Sequence, residues 1–295
     1  MPPTASYGSE VWAPYCLPAS ASRLRDSLGR SHLQILRQIA GVRSTVSTDI
    51  LLQELDVRSL KADWWLQACR FWNALASLPP SSIYKRIALD ACHAAVTNNV
   101  RNWAWYMLRG VRALGYDMVI DTTAMVHLSL PRLVQLLEDR QLASWHNLAF
   151  CPRTCPSEKA RLCTYRAWFA RPRGAPRRSV LMLPLSASCL RRFLRFRMGC
   201  HGLPKETGSW SGVPRSHRHC PLCGPGTYGD EKHLVFECPH LQPLRVQYAT
   251  LFPRLTMVQF LWQADLLHVA KFVCDALDIM LSADSPGEGQ ASDQP

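Results

Sequence analysis

Acidic residues are almost missing from one stretch of this chain. Between Lys159 and His219 there are fourteen Lys/Arg and a single acid, Glu206, a net charge of +13, so the other residues sum to −1 of the formal +12. Long apolar runs are missing too. None reaches the ~18 residues a membrane span needs; the best, Leu261 to Leu281, is interrupted by Gln263, Asp265, His268, Lys271 and Asp275. The N-terminal MPPTASYGSEVW has no basic segment followed by an apolar one, which argues against a secretory signal. Twelve irregularly spaced cysteines in 295 residues do not make a secreted disulfide scaffold, and a reducing, intracellular compartment is expected.

Chemical motifs are equally sparse. The chain has no Asp-Asp pair of the kind that holds catalytic Mg²⁺, no Gly-rich loop ending in Gly-Lys-Ser/Thr, and no H-E-x-x-H. No Pro-Asp with a spaced acid and Lys follows Cys238, and no internal repeat is found. An enzyme is therefore not expected, nor a small-molecule substrate.

What is present is apolar and helical in period. With 47% hydrophobic residues the chain can bury a core in one large or two ordinary domains. The periodicity predicts helices over Ser22–Ala40 (stopped by Gly41), a short one after Ser47/Thr48, Ser59–Ser77 (ended by Pro79-Pro80), Ser81/Ser82–Val96, Asn99–Leu114, Leu130–Leu142 and Glu158–Phe169. The cluster Trp103, Trp105, Tyr106 reads first as helix packing. Arg171–Arg178, RPRGAPRR, reads as a linker. A basic helix from Ser186 or Ser188 to Met198 carries Arg191, Arg192, Arg195 and Arg197, with Leu190, Phe193, Leu194 and Met198 as its buried stripe. Trp210, beside Gly208 and Gly212, is a candidate stacking residue or packs on the neighbouring module.

The segment His219–Arg245, HCPLCGPGTYGDEKHLVFECPHLQPLR, contains the one constellation with chemistry. Two residues separate Cys220 from Cys223, nine lead on to His233 and four more to Cys238. A close Cys pair, a Gly-rich stretch from Gly224 to Gly229 that lets the chain double back, and a His/Cys pair from a helix start form a four-ligand Zn²⁺ set. Three thiolates and an imidazole leave no open position, so one structural metal is expected. His217, His219 and His240 are the competing ligands. Cys151, Cys155 and Cys163 with His146 fit no zinc module and read as free thiols.

These residues resemble a family. Tyr7-Gly8-Ser9-Glu10-Val11-Trp12, LRQIAGVRSTVSTDILLQEL, WWLQACRFWNAL, FRMGCHGLPKETGSWSGVPRSHRHCPLCG and GDEKHLVFECPHLQPLR are similar to the C-terminal region of LINE-type, non-LTR retrotransposon reverse transcriptases. The resemblance implies that Cys220, Cys223, His233 and Cys238 bind zinc, and that Arg191, Arg192, Arg195 and Arg197 belong to a basic element approaching RNA or DNA. It also implies work on chromosomal DNA, hence the nucleus rather than the cytoplasm, and a retroelement polymerase as a further partner. The family's catalytic aspartates, carried upstream of Tyr7-Gly8, are not in this chain, so copying activity is not expected.

The expected fold is mainly α, a multi-helix assembly with a small zinc-binding module near the C-terminus. Its expected divisions are a post-polymerase remnant (1–20), a helical region (21–170), a Pro/Arg-rich linker (171–185), the basic helix and zinc module (186–255), a C-terminal helix (256–281) and a disordered tail (282–295). Arg191, Arg192, Arg195, Arg197, Lys205, Arg215 and Arg218 are the expected phosphate contacts on RNA or DNA. The alternatives are a zinc-stabilised protein-interaction module and a retroelement relic without function.

Overall fold

The computed structural model describes residues 8–16, 27–118, 123–150, 164–170, 179–253 and 256–283. The linker expected at 171–178, the tail from 284 on, the first half of the helix expected over Glu158–Phe169, and Cys151, Cys155 and Cys163 lie outside them. The described chain is mainly helical. Two compact units divide it, residues 1–35 with 57–148, and residues 36–56 with 149–295. The divisions thus fall within the helix Ser27–Ala40, after Asp56 and near the end of the helix Leu130–Phe150.

The first unit contains α1 (Ser9–Cys16), most of α2 (Ser27–Ala40), α4 (Leu60–Ser77), α5 (Ile83–Thr97), α6 (Trp103–Ala113) and most of α7 (Leu130–Phe150). Local signals start and stop these helices. Ser59 Oγ accepts from Ala62 N and Asn102 Oδ1 from Trp105 N, each satisfying a backbone donor that has no partner in a first turn. At the end of α4 the Lys85 ammonium donates to Ala76 O and Leu78 O, placing a cation where the last carbonyls gather.

Tryptophans build the core of this unit. Trp72 and Trp103 stack with centroids 5.7 Å apart; Trp72 Nε1 donates to Val126 O and Trp103 Nε1 to Glu10 O. Trp103 is therefore a packing residue, as its helical spacing suggests. Trp105 is half-buried, with Nε1 on Asn99 Oδ1 and the Arg109 guanidinium 4.9 Å from its ring. Trp65 of α4 lies so close to α6 that a Cβ on Gly110 would sit 1.9 Å from its ring. Gly110→Ala is accordingly expected to destabilise this unit by about 1–3 kcal/mol despite alanine's better helix propensity. A thermal melt of the variant checks this, and an unchanged midpoint would contradict the close approach.

The second unit contains α3 (Thr48–Leu55), α8 (Ala187–Arg197), α9 (Pro204–Trp210), α10 (Gln242–Gln247), α11 (Met257–Trp262) and α12 (Leu266–Ser282). Its core joins Phe193, Leu194 and Phe196 of α8 to Val269, Phe272 and Val273 of α12, all fully buried. Rings of Phe236, Phe252, Phe260 and Phe272 make a continuous edge-to-face and stacked cluster, centroids 5.0–6.1 Å apart. Cys189 of α8 and Cys274 of α12 are joined as a disulfide, Cα atoms 5.7 Å apart, a bond that the expected reducing compartment does not favour. The single C-terminal helix expected over 256–281 is two helices. Thr256 and Gln259 form a capping box for α11, the chain turns extended at Gln263, and Asp265 caps α12 by accepting from His268 N. No helix among the described residues is long and apolar enough to cross a membrane.

Candidate metal centre

The Gly-rich stretch does more than double back. Gly224–Tyr228 forms strand β2, which pairs antiparallel with strand β1 (His219–Cys220) in the register His219↔Tyr228 and Cys220↔Gly224, with a bulge between His219 and Cys220. The turn itself is Pro221 to Cys223, and Gly224 leaves it at φ +79°, a conformation costly for any residue with a Cβ. This turn brings the Cys223 thiol back beside Cys220.

The second pair of ligands comes from a single wide turn. His233–Glu237 is π-helical and closes with Cys238 N donating to His233 O at 2.8 Å. Five residues of α-helix would rotate Cys238 about 140° away from His233, whereas the wider turn holds both side chains together. Asp230 Oδ1 accepts from His233 N at 2.8 Å and fixes the start of the turn.

The four side chains converge. Cys223 Sγ lies 3.4 Å from His233 Nε2 and 3.7 Å from Cys238 Sγ, and all four ligand atoms of Cys220, Cys223, His233 and Cys238 fall within 4.8 Å of one another. A tetrahedral Zn²⁺ with ordinary bond lengths needs edges of ~3.5 Å (S to N) and ~3.8 Å (S to S), so the donor set fits that ion. Cys220, His233 and Cys238 are buried and Cys223 is half-buried. Burial holds the His233 imidazole below its ordinary pKa, hence neutral and able to ligate. Burial and hydrogen bonds from Cys238 and Cys220 push the Cys223 thiol up to about 12. His217, His219 and His240 are not among the four; the first two face each other with ring centroids 6.3 Å apart.

Supporting residues were not legible from spacing. Arg245 donates from Nη2 to Cys238 O, from Nη1 to Val235 O at 3.4 Å and from Nε to Gln242 Oε1 at 3.1 Å. Its charge stands beside a ligand set that would carry net −1 around Zn²⁺. On the other side, His201 Nε2 meets Glu231 Oε1 at 3.0 Å while Lys205 Nζ donates to Glu231 Oε2 at 2.6 Å and to Thr164 Oγ1 at 2.8 Å. Burial disfavours the Glu231 carboxylate, but the bond and charge of His201 and the charge of Lys205 outweigh it and hold the group at about 2. The acids of Gly-Asp-Glu-Lys-His were the visible signal for this support; His201, thirty residues away, gave none.

The expected phosphate contacts separate into two groups. Arg197 is buried, its Nε on Glu54 Oε2 at 2.5 Å and its guanidinium 4.6 Å from the Trp262 ring, so it is a core ion pair and not a surface contact. Lys205 is committed to Glu231, and its nitrogen lies 4.8 Å from the Trp168 ring. Arg218 is half-buried: its stem lies against Gly208 and its nitrogens donate to Val213 O and Lys205 O. Arg197 and Lys205 are removed from the expected set because an acid spends their charge, and Arg218 because it is half-buried with its donors turned to carbonyls of the module. Arg192 pairs with Asp278, while Arg191, Arg195 and Arg215 are exposed. Arg191 Nε donates to Ile39 O and Arg195 Nε to Gly41 O, the last carbonyls of α2 and its cap. Arg215 lies over the Tyr228 ring, 5.0 Å from its centroid.

Compared with models of protein families, with curated protein sequences and with solved structures, the chain matches none.

Proposed function

We propose that Cys220, Cys223, His233 and Cys238 hold one structural Zn²⁺, and that the unit built around it binds RNA or DNA through phosphates, in the manner of the tail of a LINE-type reverse transcriptase. The metal would supply bonds that fix the fold and no open position for chemistry. One observation carries the reading: the four-ligand cluster and the exposed Arg191, Arg195 and Arg215 of the acid-poor segment belong to the same compact unit. Charge so segregated attracts a polyanion, and phosphate contacts give affinity with little sequence preference.

The contacts are assigned to Arg191, Arg195 and Arg215, which are exposed, with Arg192 at the margin because Asp278 already neutralises it. Three phosphate contacts release about three counterions, so affinity should fall about 40-fold between 50 and 200 mM salt on duplex DNA. Binding of labelled RNA and DNA across a salt series tests this. Arg191→Ala should flatten the slope by about one unit, uniformly over sequences. A chain that binds neither polymer at low salt, or binds with no salt slope, is instead a protein-interaction module.

A further inference from the structure

Arg43 was not among the expected contacts. In the fold it is exposed, and its guanidinium carbon lies 3.6 Å from the centroid of the Trp210 ring. The cation thus lies directly over the indole face. Trp210 is half-buried and its Nε1 is buried with no acceptor among the described residues, so neither its edge nor the face under Arg43 is open to a base.

The stack and the basic helix meet the same short stretch of chain. Arg43 lies two residues beyond Gly41, whose carbonyl accepts from Arg195 Nε and whose Cα faces both basic side chains: a Cβ there would lie 3.1 Å from the Arg195 guanidinium and 3.4 Å from Arg191 Cβ. Three exposed arginines from two remote segments are thus each held in place around the end of α2, two by its last carbonyls and one, two residues further on, by an indole. A free arginine loses up to about 2 kcal/mol of rotamer entropy when a ligand immobilises it. Here much of that ordering precedes binding.

Fixed planar guanidinium on an aromatic platform, beside two further fixed positive charges, suits a polymer that presents phosphates and unpaired bases together. Exposed bases stack on guanidinium planes as well as on aromatic rings, whereas bases inside a duplex offer no free face. We infer that Arg43 on Trp210 is a base-stacking platform at the end of the Arg191/Arg195 phosphate contacts, and that the array takes single-stranded nucleic acid. This rests on the nucleic-acid reading above and specifies its strandedness.

The test uses the full zinc-loaded chain and three labelled probes at low salt: a homothymidine oligonucleotide, an abasic oligonucleotide of equal length and charge, and a duplex of that length. The wild-type chain should bind the thymidine strand about tenfold more tightly than the abasic strand, the gain of stacking one base. Arg43→Ala should abolish that ratio while weakening abasic binding only about threefold, the loss of one charge. Arg43→Lys, which keeps the charge and loses the plane, should restore abasic binding but not the ratio. Equal binding of thymidine and abasic strands by the wild-type chain, tighter binding of the duplex, or an equal loss on both strands in Arg43→Ala overturns the stacking role and leaves phosphate binding standing. Failure of all three probes to bind overturns the parent reading and this one with it.

Discussion

Removing the metal is expected to unfold the segment from His219 to Arg245 and to loosen the helices packed on it. Metal analysis of the purified chain should find about one zinc per chain, and Cys238→Ser should lose it. The reason for a large effect is that β1 and β2 together comprise seven residues and cannot hold a fold by ladder bonds alone. Structural zinc contributes on the order of 10 kcal/mol in finger-sized modules. The consequence spreads because Phe236 sits between the ligands His233 and Cys238 and packs against Phe252 and Phe260. Chelation should therefore reduce near-UV dichroism and expose the chain to proteolysis between 219 and 245. Zinc retained at full stoichiometry by Cys238→Ser would mean that another residue, His240 or His219, is the fourth ligand.

Breaking the buried ion pair should come next in size. Arg197 and Glu54 are each 2% exposed in their side chains, 143 residues apart, and Glu54 also accepts from Tyr165 OH at 2.7 Å. A carboxylate and a guanidinium withdrawn from water need each other. Glu54→Ala strands the guanidinium among Phe193, Trp262 and the Leu261 carbonyl, at a cost of about 3–5 kcal/mol. That corresponds to a melting midpoint lower by about 10 °C for a unit of this size. The double variant Glu54→Leu with Arg197→Met should recover much of the loss, because no charge remains to be stranded. Additive losses in the double variant would show that the two groups do not act as a pair. Nucleic-acid binding by folded Arg197→Met should keep its salt slope, in contrast to Arg191→Ala.

Helices and ligands were legible for the same reason: both depend on short spacing. Ser59 and Ser186 act on donors three residues ahead, so their caps can be read from a few letters, whereas the helix expected from Asn99 starts only at Trp103, capped by Asn102. Cys220, Cys223, His233 and Cys238 lie within nineteen residues, and the metal they fit has one preferred geometry. Even there, spacing identified the donors but not the backbone that aims them. A two-stranded ladder and a π-turn replaced the expected simple reversal and helix start, because pairing register and turn width depend on what the segment packs against.

Charge was the least legible property. The alternation of Arg191 and Arg195 against Phe193 and Leu194 places two arginines on an outer face, and they are exposed. Arg197 shares the same helix and the same composition, yet Glu54 draws it inward; Lys205 meets Glu231, and Arg43 finds Trp210. The order of residues alone determined a helical, locally basic chain with one tetrahedral donor set, since helix caps and a C-x₂-C turn act over a few bonds. Only the tertiary structure decided which cations face water, because a charge is spent or spared according to a partner that can lie more than a hundred residues away.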